Sequence, residues 1–200
     1  KSVAVGHDIR LSGKALVDAL TLGLTEMGCD VFDIGMCGTE QIYFTTAHMN
    51  LDGGIMVTAS HNPQEYNGMK LVRKESRPIS ADTGLMDIRD KVLSGELPEK
   101  AEQLGKVYDV NCMPEYVEHL LKYIDTSALK PLKIVVNAGN GAAGPVVDAI
   151  QDKLPFEFIK VNHEPDGTFP NGVPNPLLEE NRDATASVVL AEKADLGVAW

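Results

Sequence analysis

The sequence is poor in cysteine, and this argues against two common organising features. Its 200 residues include three cysteines, Cys29, Cys37 and Cys112, an odd number with no Cys-x-x-Cys pair. Neither a disulfide framework nor a zinc site is therefore expected. Free cysteines fit a reducing compartment, so we expect a cytoplasmic protein.

The sequence also lacks an excess of positive charge. Eighteen lysines and arginines face 29 aspartates and glutamates, which gives a net charge of -11. A nucleic-acid surface would need a basic patch, so no nucleic-acid partner is expected. No apolar run approaches the roughly 20 residues that cross a bilayer, and no secretory signal opens the chain, so no membrane partner is expected either. Nothing in the sequence indicates an oligomeric state.

Both ends of the chain fall in segments that read as strands. The chain starts at Lys1 and enters the strand-like run Val3 to Val5 at once, and it stops at Trp200 inside a second apolar run. We therefore expect a piece of a longer protein, cut at both ends.

Strand and helix patterns alternate along the whole chain. Apolar runs and amphipathic periods predict β-α-β-α-β over the first 57 residues, which implies a parallel sheet with right-handed crossovers. A helix is predicted next over 80–94, with Leu85, Ile88, Val92 and Leu93 facing inward. The polar stretch 96–106 then reads as a boundary, and α/β alternation resumes after it. The predicted class is α/β: two consecutive three-layer domains, 1–105 and 106–200, with mostly parallel mixed sheets, the second incomplete.

A serine and a histidine lie together where a predicted buried strand ends. The run Gly53 to Val57 leads into Thr58-Ala59-Ser60-His61-Asn62-Pro63, and Tyr66-Asn67-Gly68 then turns the chain into a second short strand. Ligands bind at this end of the strands in open α/β sheets. We predict that Ser60 is a phosphoryl-carrying nucleophile, with His61 and Lys70 within reach if the loop folds back. The alternative is an ordinary polar turn.

Two further segments carry open alternatives. Arg10 follows the first strand, where it suits phosphate binding or an ion pair with Asp8. The segment Gly139 to Gly144 is a formal G-x-G-x-x-G between a strand and a helix, with Glu164 downstream. It is typical of dinucleotide binding, and equally of any tight strand-to-helix turn.

Taken together, these segments resemble the α-D-phosphohexomutase superfamily, in particular its bacterial phosphomannomutases. The resemblance covers nearly the whole chain. The segments that carry it are Val5–Ser12, Asp33–Glu40, Thr58–Pro63, Tyr66–Val72, Arg77–Ser80, Asn140–Gly144 and Asp166–Asn171.

The resemblance implies a phosphosugar mutase working through a phosphoserine. Ser60 would pass its phosphoryl group to mannose 6-phosphate, which gives a hexose 1,6-bisphosphate intermediate. This intermediate would then return its other phosphoryl group to Ser60, and mannose 1-phosphate would form. The hexose 1,6-bisphosphate would also act as an activator. His61 and Lys70 would be catalytic, and Asn62 and Arg10 would contact substrate or phosphate. The product would serve GDP-mannose and polysaccharide synthesis.

The resemblance also implies a magnesium ion. Ser60 would bind Mg²⁺ through its phosphate, together with three aspartates of a D-G-D-x-D-R loop that is absent from these 200 residues. We therefore expect the isolated chain to be inactive.

Related specificities stay open. Phosphoglucomutase or dual glucose/mannose activity are alternatives, whereas phosphoglucosamine mutases usually carry serine where Thr58 stands. The glycine segment becomes a feature of the second domain, and a nucleotide-binding module is the remote alternative.

Overall fold

The computed structural model describes all 200 residues, and their contacts divide the chain into two compact units. The first unit comprises Lys1–His7, Ser12–Thr58 and Gly68–Asn111. The second comprises Asp8–Leu11, Ala59–Asn67 and Cys112–Trp200. The predicted Ser60 loop and Arg10 therefore belong with the second unit, although the strands that precede them belong with the first.

The first unit is built on a six-stranded mixed sheet with the order β5-β4-β3-β1-β2-β6. Its strands are β1 (Ser2–His7), β2 (Asp30–Met36), β3 (Gly53–Val57), β4 (Met69–Arg73), β5 (Arg77–Pro78) and β6 (Val107–Asp109). The pairs β1–β2, β1–β3 and β2–β6 are parallel, while β4 runs antiparallel to both β3 and β5. The predicted α/β class with a mixed, mostly parallel sheet is confirmed.

Helices cover both faces of this sheet. Because successive strand residues point to opposite faces, neighbouring residues of one strand pack against different helices. On one face, Ala4 of β1 packs in a buried cluster with Ile42 of helix α2 (Thr39–His48). On the other, Val5 packs with Val17 of helix α1 (Gly13–Glu26). This produces the predicted three layers.

Two details of the first unit differ from the sequence prediction. Strand β6 was not predicted, and its pairing with β2 extends the first unit to Asn111, past the boundary expected at 105. Helix α3 (Leu85–Ser94) forms, but it buries no residue, and Val92 and Leu93 are 66% and 77% exposed. The inward face predicted for this helix was therefore wrong. Periodicity identifies an apolar face, but it does not supply a surface to cover it.

The second unit contains a three-stranded parallel sheet with the order β8-β7-β9. Its strands are β7 (Lys133–Asn137), β8 (Glu157–Val161) and β9 (Leu196–Ala199), and its helices are α4 (Met113–Leu121), α5 (Ala143–Ile150) and α6 (Asp183–Glu192). Ile134 and Val136 of β7 pack against Val147 of α5.

All three cysteines are free and buried, so no disulfide joins any part of the chain. No helix combines the length and the apolar character needed to cross a membrane. The cytoplasmic location expected from cysteine usage stays a prediction.

Candidate active site

The segment Ala59–Asn67, here called the serine loop, projects from the end of β3. Its base is closed where Val57 pairs with Met69 of β4 and where the Thr58 N–H donates to the Gly68 carbonyl at 2.9 Å. A loop whose ends meet in this way is compact, and such loops are often functional. Residues 60 to 66 are all exposed, so the loop presents its side chains to solvent.

Ser60 occupies a left-handed backbone conformation. Its φ is +54°, a region that costs a residue other than glycine roughly 1–2 kcal/mol. Such strain persists only where surrounding structure enforces it, and it concentrates at functional sites.

The Ser60 hydroxyl has a basic group beside it. Its Oγ lies 3.0 Å from Nδ1 of His61. When the imidazole carries its proton on Nε2, Nδ1 accepts the hydroxyl hydrogen, which is the arrangement that activates a serine nucleophile. The structure thus brings together the two neighbours that the sequence pointed to.

Asn62 shapes the turn that presents the serine. Its side-chain amide and its backbone N–H both donate to the Ala59 carbonyl, at 2.8 and 3.1 Å. The turn is thereby closed around Ser60 and His61. The phosphate contact predicted for Asn62 stays a prediction.

Arg10 is buried beneath the serine loop, with 2% of its surface exposed. Its Nη2 donates to the carbonyls of Ser60 and Asn62 at 2.8 and 2.6 Å, and its Nη1 lies within 3.3 Å of three further carbonyls. Those three belong to Pro63, Gln64 and Tyr66. The five bonds engage the guanidinium with the loop backbone, so the structure lends no support to a direct phosphate contact by Arg10.

The alternative partner considered for Arg10 is also present. Its Nε lies 3.3 Å from Asp8 Oδ2, and its backbone N–H donates to Asp8 Oδ1 at 3.0 Å. A buried guanidinium needs both charge compensation and acceptors for its hydrogens. Asp8 supplies the first and the loop carbonyls supply the second.

Lys70 lies on β4 in the first unit, where it pairs in register with Met56 of β3 and is exposed. It is the second residue of the strand that carries the chain out of the loop. Its predicted catalytic role stays a prediction.

The residues of this chain do not make a magnesium site by themselves. No group of three or more histidine, cysteine, aspartate or glutamate side chains is placed to hold a metal ion. Mg²⁺ prefers several oxygen ligands in octahedral geometry. The predicted contribution of Ser60, through its phosphate, therefore stays a prediction.

The glycine segment Gly139–Gly144 connects β7 to α5, as expected of a G-x-G-x-x-G. However, a Cβ on Gly139 would lie 2.4 Å from Pro174, and one on Gly144 would lie 2.2 Å from the His163 carbonyl oxygen. Protein atoms thus occupy the close approaches that these glycines permit. Glu164 presents its main-chain carbonyl to Asn140 Nδ2 at 2.9 Å. The arrangement explains the glycines by packing within the protein, with no ligand required.

The residues that pack against Arg10 and the serine loop had no role predicted from the sequence. The Phe169 ring centroid lies 5.6 Å from the Arg10 guanidinium carbon, and Gln64 Nε2 donates to the Gly167 carbonyl at 3.0 Å. The Asp166-Gly167 pair signalled a turn there. No pattern in the sequence indicated that this turn meets residues a hundred or more positions earlier.

Comparison with known proteins defines the class. Residues 1–99 match the model of phosphoglucomutase/phosphomannomutase α/β/α domain I, and residues 114–200 match that of domain II. The chain therefore belongs to the phosphoglucomutase/phosphomannomutase family.

Individual relatives within this family show how similar the chain is to particular proteins. The chain is 54% identical to a phosphomannomutase of Salmonella typhimurium, over all of this chain and 45% of that protein. It is 57% identical to a Xanthomonas campestris protein described as phosphohexose mutases, over 99% of this chain and 44% of that protein. A phosphoglucomutase/phosphomannomutase family structure from Burkholderia thailandensis matches 98% of the chain with a TM-score of 0.86 and 34% identity, and 43% of that chain is covered. The chain thus spans less than half the length of these relatives.

Proposed function

We propose that this chain supplies the phosphoryl-carrying serine of a phosphomannomutase. The observation that carries the proposal is Ser60 itself, exposed, held in a strained conformation and hydrogen-bonded to His61. A phosphoryl carrier needs an accessible oxygen that alternates between a free and an esterified state. Phosphoryl transfer depends mainly on positioning, so a rigidly presented serine suits the task.

The proposed cycle conserves its phosphoryl groups. Phosphoserine at position 60 transfers its phosphoryl group to the 1-hydroxyl of mannose 6-phosphate, so the serine P–O bond breaks and a sugar P–O bond forms. The hydroxyl proton of the sugar goes to a base, and the serine oxygen gains a proton. The hexose 1,6-bisphosphate then reorients, and Ser60 takes the phosphoryl group from its 6-position as the 6-O–P bond breaks. The Ser60 hydroxyl proton goes to a base, the 6-oxygen gains a proton, and mannose 1-phosphate is released.

His61 and Lys70 are proposed to handle these protons. The His61 Nδ1 contact at 3.0 Å allows it to accept or return the Ser60 hydrogen. Lys70 is proposed as the acid/base for the sugar hydroxyl or as a contact to phosphate. Asn62 holds the turn and is also proposed to face the transferred phosphate. The ion that would neutralise that phosphate is proposed to be Mg²⁺, with further ligands from outside this chain.

Mannose is the proposed sugar because several relatives at 50–54% identity are described as phosphomannomutases. The Xanthomonas relative, described as phosphohexose mutases, supports dual glucose and mannose specificity as the second candidate. In either case the substrate is a phosphosugar.

The test uses a chimera in which this chain replaces the matching segment of the Salmonella typhimurium phosphomannomutase. We expect the chimera to interconvert mannose 6-phosphate and mannose 1-phosphate, and phosphopeptide mass spectrometry to find phosphate on Ser60. Ser60→Ala should lower kcat by roughly a thousandfold or more, since it removes the nucleophile. The exposed Ser94, substituted in the same way, is the matched control and should retain activity. Full activity of Ser60→Ala, or phosphate only elsewhere, would end the proposal.

Calorimetry separates the mutase from the nucleotide-binding alternative. Titration of NAD(H) into the 200-residue chain should give no binding heat, because Pro174 and His163 pack against the glycine segment. The chimera should bind mannose 6-phosphate under the same conditions. Specific NAD(H) binding that Gly139→Val abolishes would support the alternative instead.

A further inference from the structure

The segment Asp166–Asn171, here called the phenylalanine turn, packs against Arg10 and the serine loop. Phe169 is buried, with 9% of its surface exposed, and its φ is +48°. A guanidinium over an aromatic face is attracted by the negative charge of the ring face, more strongly when both are shielded from water. Phe169 thus lies against the side chain whose donors gather the loop carbonyls.

The approach of the turn to Arg10 is close enough to require glycine. A Cβ on Gly167 would lie 2.3 Å from the carbonyl oxygen of Ile9, the residue before Arg10. Gly167 also accepts the bond from Gln64 of the serine loop. The turn therefore contacts the backbone at Ile9, the Arg10 side chain and the loop itself.

Hydrogen bonds to the glycine segment hold the phenylalanine turn in place. Asn140 Oδ1 accepts a hydrogen bond from Asn171 Nδ2 at 3.0 Å, and its main-chain carbonyl accepts one from the Asp166 N–H at 2.9 Å. Asn140 itself is buried, at 7% exposure. The contacts run without interruption from the loop after β7 to the carbonyl of Ser60.

We propose that Arg10 and the phenylalanine turn are positioning elements for Ser60. Arg10 holds five carbonyls of the serine loop in one arrangement, and the turn holds Arg10. The strained Ser60 backbone is maintained by this support, which fixes the direction of Oγ. As a catalytic statement the inference rests on the proposed function, whereas its structural part does not.

The structural part is tested on the 200-residue chain by proteolysis. A glutamyl endopeptidase cuts after glutamate, and Glu65 lies in the serine loop, while the exposed Glu99 lies outside it. Arg10→Lys keeps the charge but loses the planar fork that reaches several carbonyls. Cleavage at Glu65 relative to Glu99 should rise about tenfold or more, because local opening sets the rate.

Gly167→Ala tests the turn without touching Arg10. Its Cβ must displace Ile9, and the Glu65 cleavage ratio should rise as in Arg10→Lys. The matched controls are Arg89→Lys, at an exposed arginine, and Gly23→Ala, at a glycine with no atom near its would-be Cβ. An unchanged ratio in both test variants, or an equal rise at all cleavage sites, would overturn the proposal.

The catalytic part is tested in the chimera by separating kcat from KM. Arg10→Lys and Gly167→Ala should lower kcat about ten- to hundredfold with KM for mannose 6-phosphate changed less than about threefold, as expected when only the transition-state geometry suffers. Circular dichroism measures the folded fraction of each variant. Partial unfolding alone would lower kcat only in proportion to the loss of folded protein. Raised Glu65 cleavage with unchanged kcat would refute the positioning role. An inactive parent chimera would instead count against the proposed function and leave the cleavage result standing.

Discussion

The serine loop and the glycine segment start alike and end differently. Each follows a buried parallel strand, β3 or β7, at the end where α/β proteins bind ligands. The serine loop exposes residues 60 to 66, whereas residues 137 to 140, which lead into and begin the glycine segment, are buried. The first presents side chains to solvent over a buried arginine. The second packs Gly139 against the Pro174 side chain and Gly144 against the His163 carbonyl.

The difference shows that a glycine motif indicates where the backbone needs glycine, and that this need can arise without a ligand. Gly139 and Gly144 each permit another atom to come close, and in both cases that atom belongs to the protein, Pro174 in the first and the His163 carbonyl in the second. In the serine loop the exposed Ser60 is left-handed, whereas the left-handed Asn140 of the glycine segment is buried and hydrogen-bonded through its side chain. A non-glycine residue kept at positive φ, exposed and beside a histidine, is therefore the stronger indication of chemistry.

The largest effect is expected from Gly144→Ala. Its Cβ would meet a carbonyl oxygen at 2.2 Å, so the backbone near His163 must move, at a cost of about 2–4 kcal/mol in the free energy of unfolding. Gly141→Ala, with its nearest atom at 3.2 Å, should cost less than about 1 kcal/mol. Urea unfolding of the two variants checks the difference. Equal stability of both would mean that the close approach of Gly144 to the His163 carbonyl does not require glycine.

A smaller effect, of opposite sign, is expected in the serine loop. Ser60→Gly relieves the cost of a positive φ, so it should be more stable than Ser60→Ala by about 1 kcal/mol. Thermal unfolding of the two variants measures this. If alanine and glycine are equivalent, Ser60 is not strained, and the contrast between the two loops loses its main support.

The smallest effect concerns pH and the phenylalanine turn. Hydrogen bonds from the Thr168 side chain and then its backbone N–H hold the pKa of Asp166 below its ordinary value. A lowered folded-state pKa adds stability that is complete above the unfolded pKa of about 4 and is lost as pH falls through the folded pKa.

Thr168→Val should therefore flatten the decline of the unfolding midpoint below about pH 4 and leave its pH dependence near neutrality unchanged. Thr126→Val, a substitution at another exposed threonine, is the control. An identical acid limb in Thr168→Val and the parent chain would show that Asp166 does not contribute.

The fold was largely predictable because its strands are short apolar runs separated by strong helix patterns. The β-α-β-α-β order predicted for the first 57 residues forms as β1, α1, β2, α2 and β3. Strand β6 was missed because its three residues are all exposed and carry no buried pattern. The face of α3 was misjudged because amphipathicity does not reveal whether a covering layer exists.

The site was predictable only where its parts are neighbours in sequence. Ser60 and His61 are adjacent, so their contact follows from the chain itself. The placement of Arg10 fifty residues before the carbonyls it binds, and of Phe169 more than a hundred residues after the serine, depends on tertiary packing. An arginine that binds phosphate and an arginine that supports a loop both donate hydrogen bonds to several oxygen acceptors. The sequence therefore does not distinguish the two roles, and only the structure shows which acceptors Arg10 contacts.

The division of the contacts also bears on how such a protein can be recombined. The serine loop is encoded inside the first sequence domain, yet its supporting residues come from Asp8–Leu11 and from the region after Cys112. A crossover between related genes near residue 111 would exchange the phenylalanine turn while keeping the serine. Compatible parents must therefore match at Arg10, Gly167 and Phe169, and a library built by swapping whole domains should lose activity first where those three positions disagree.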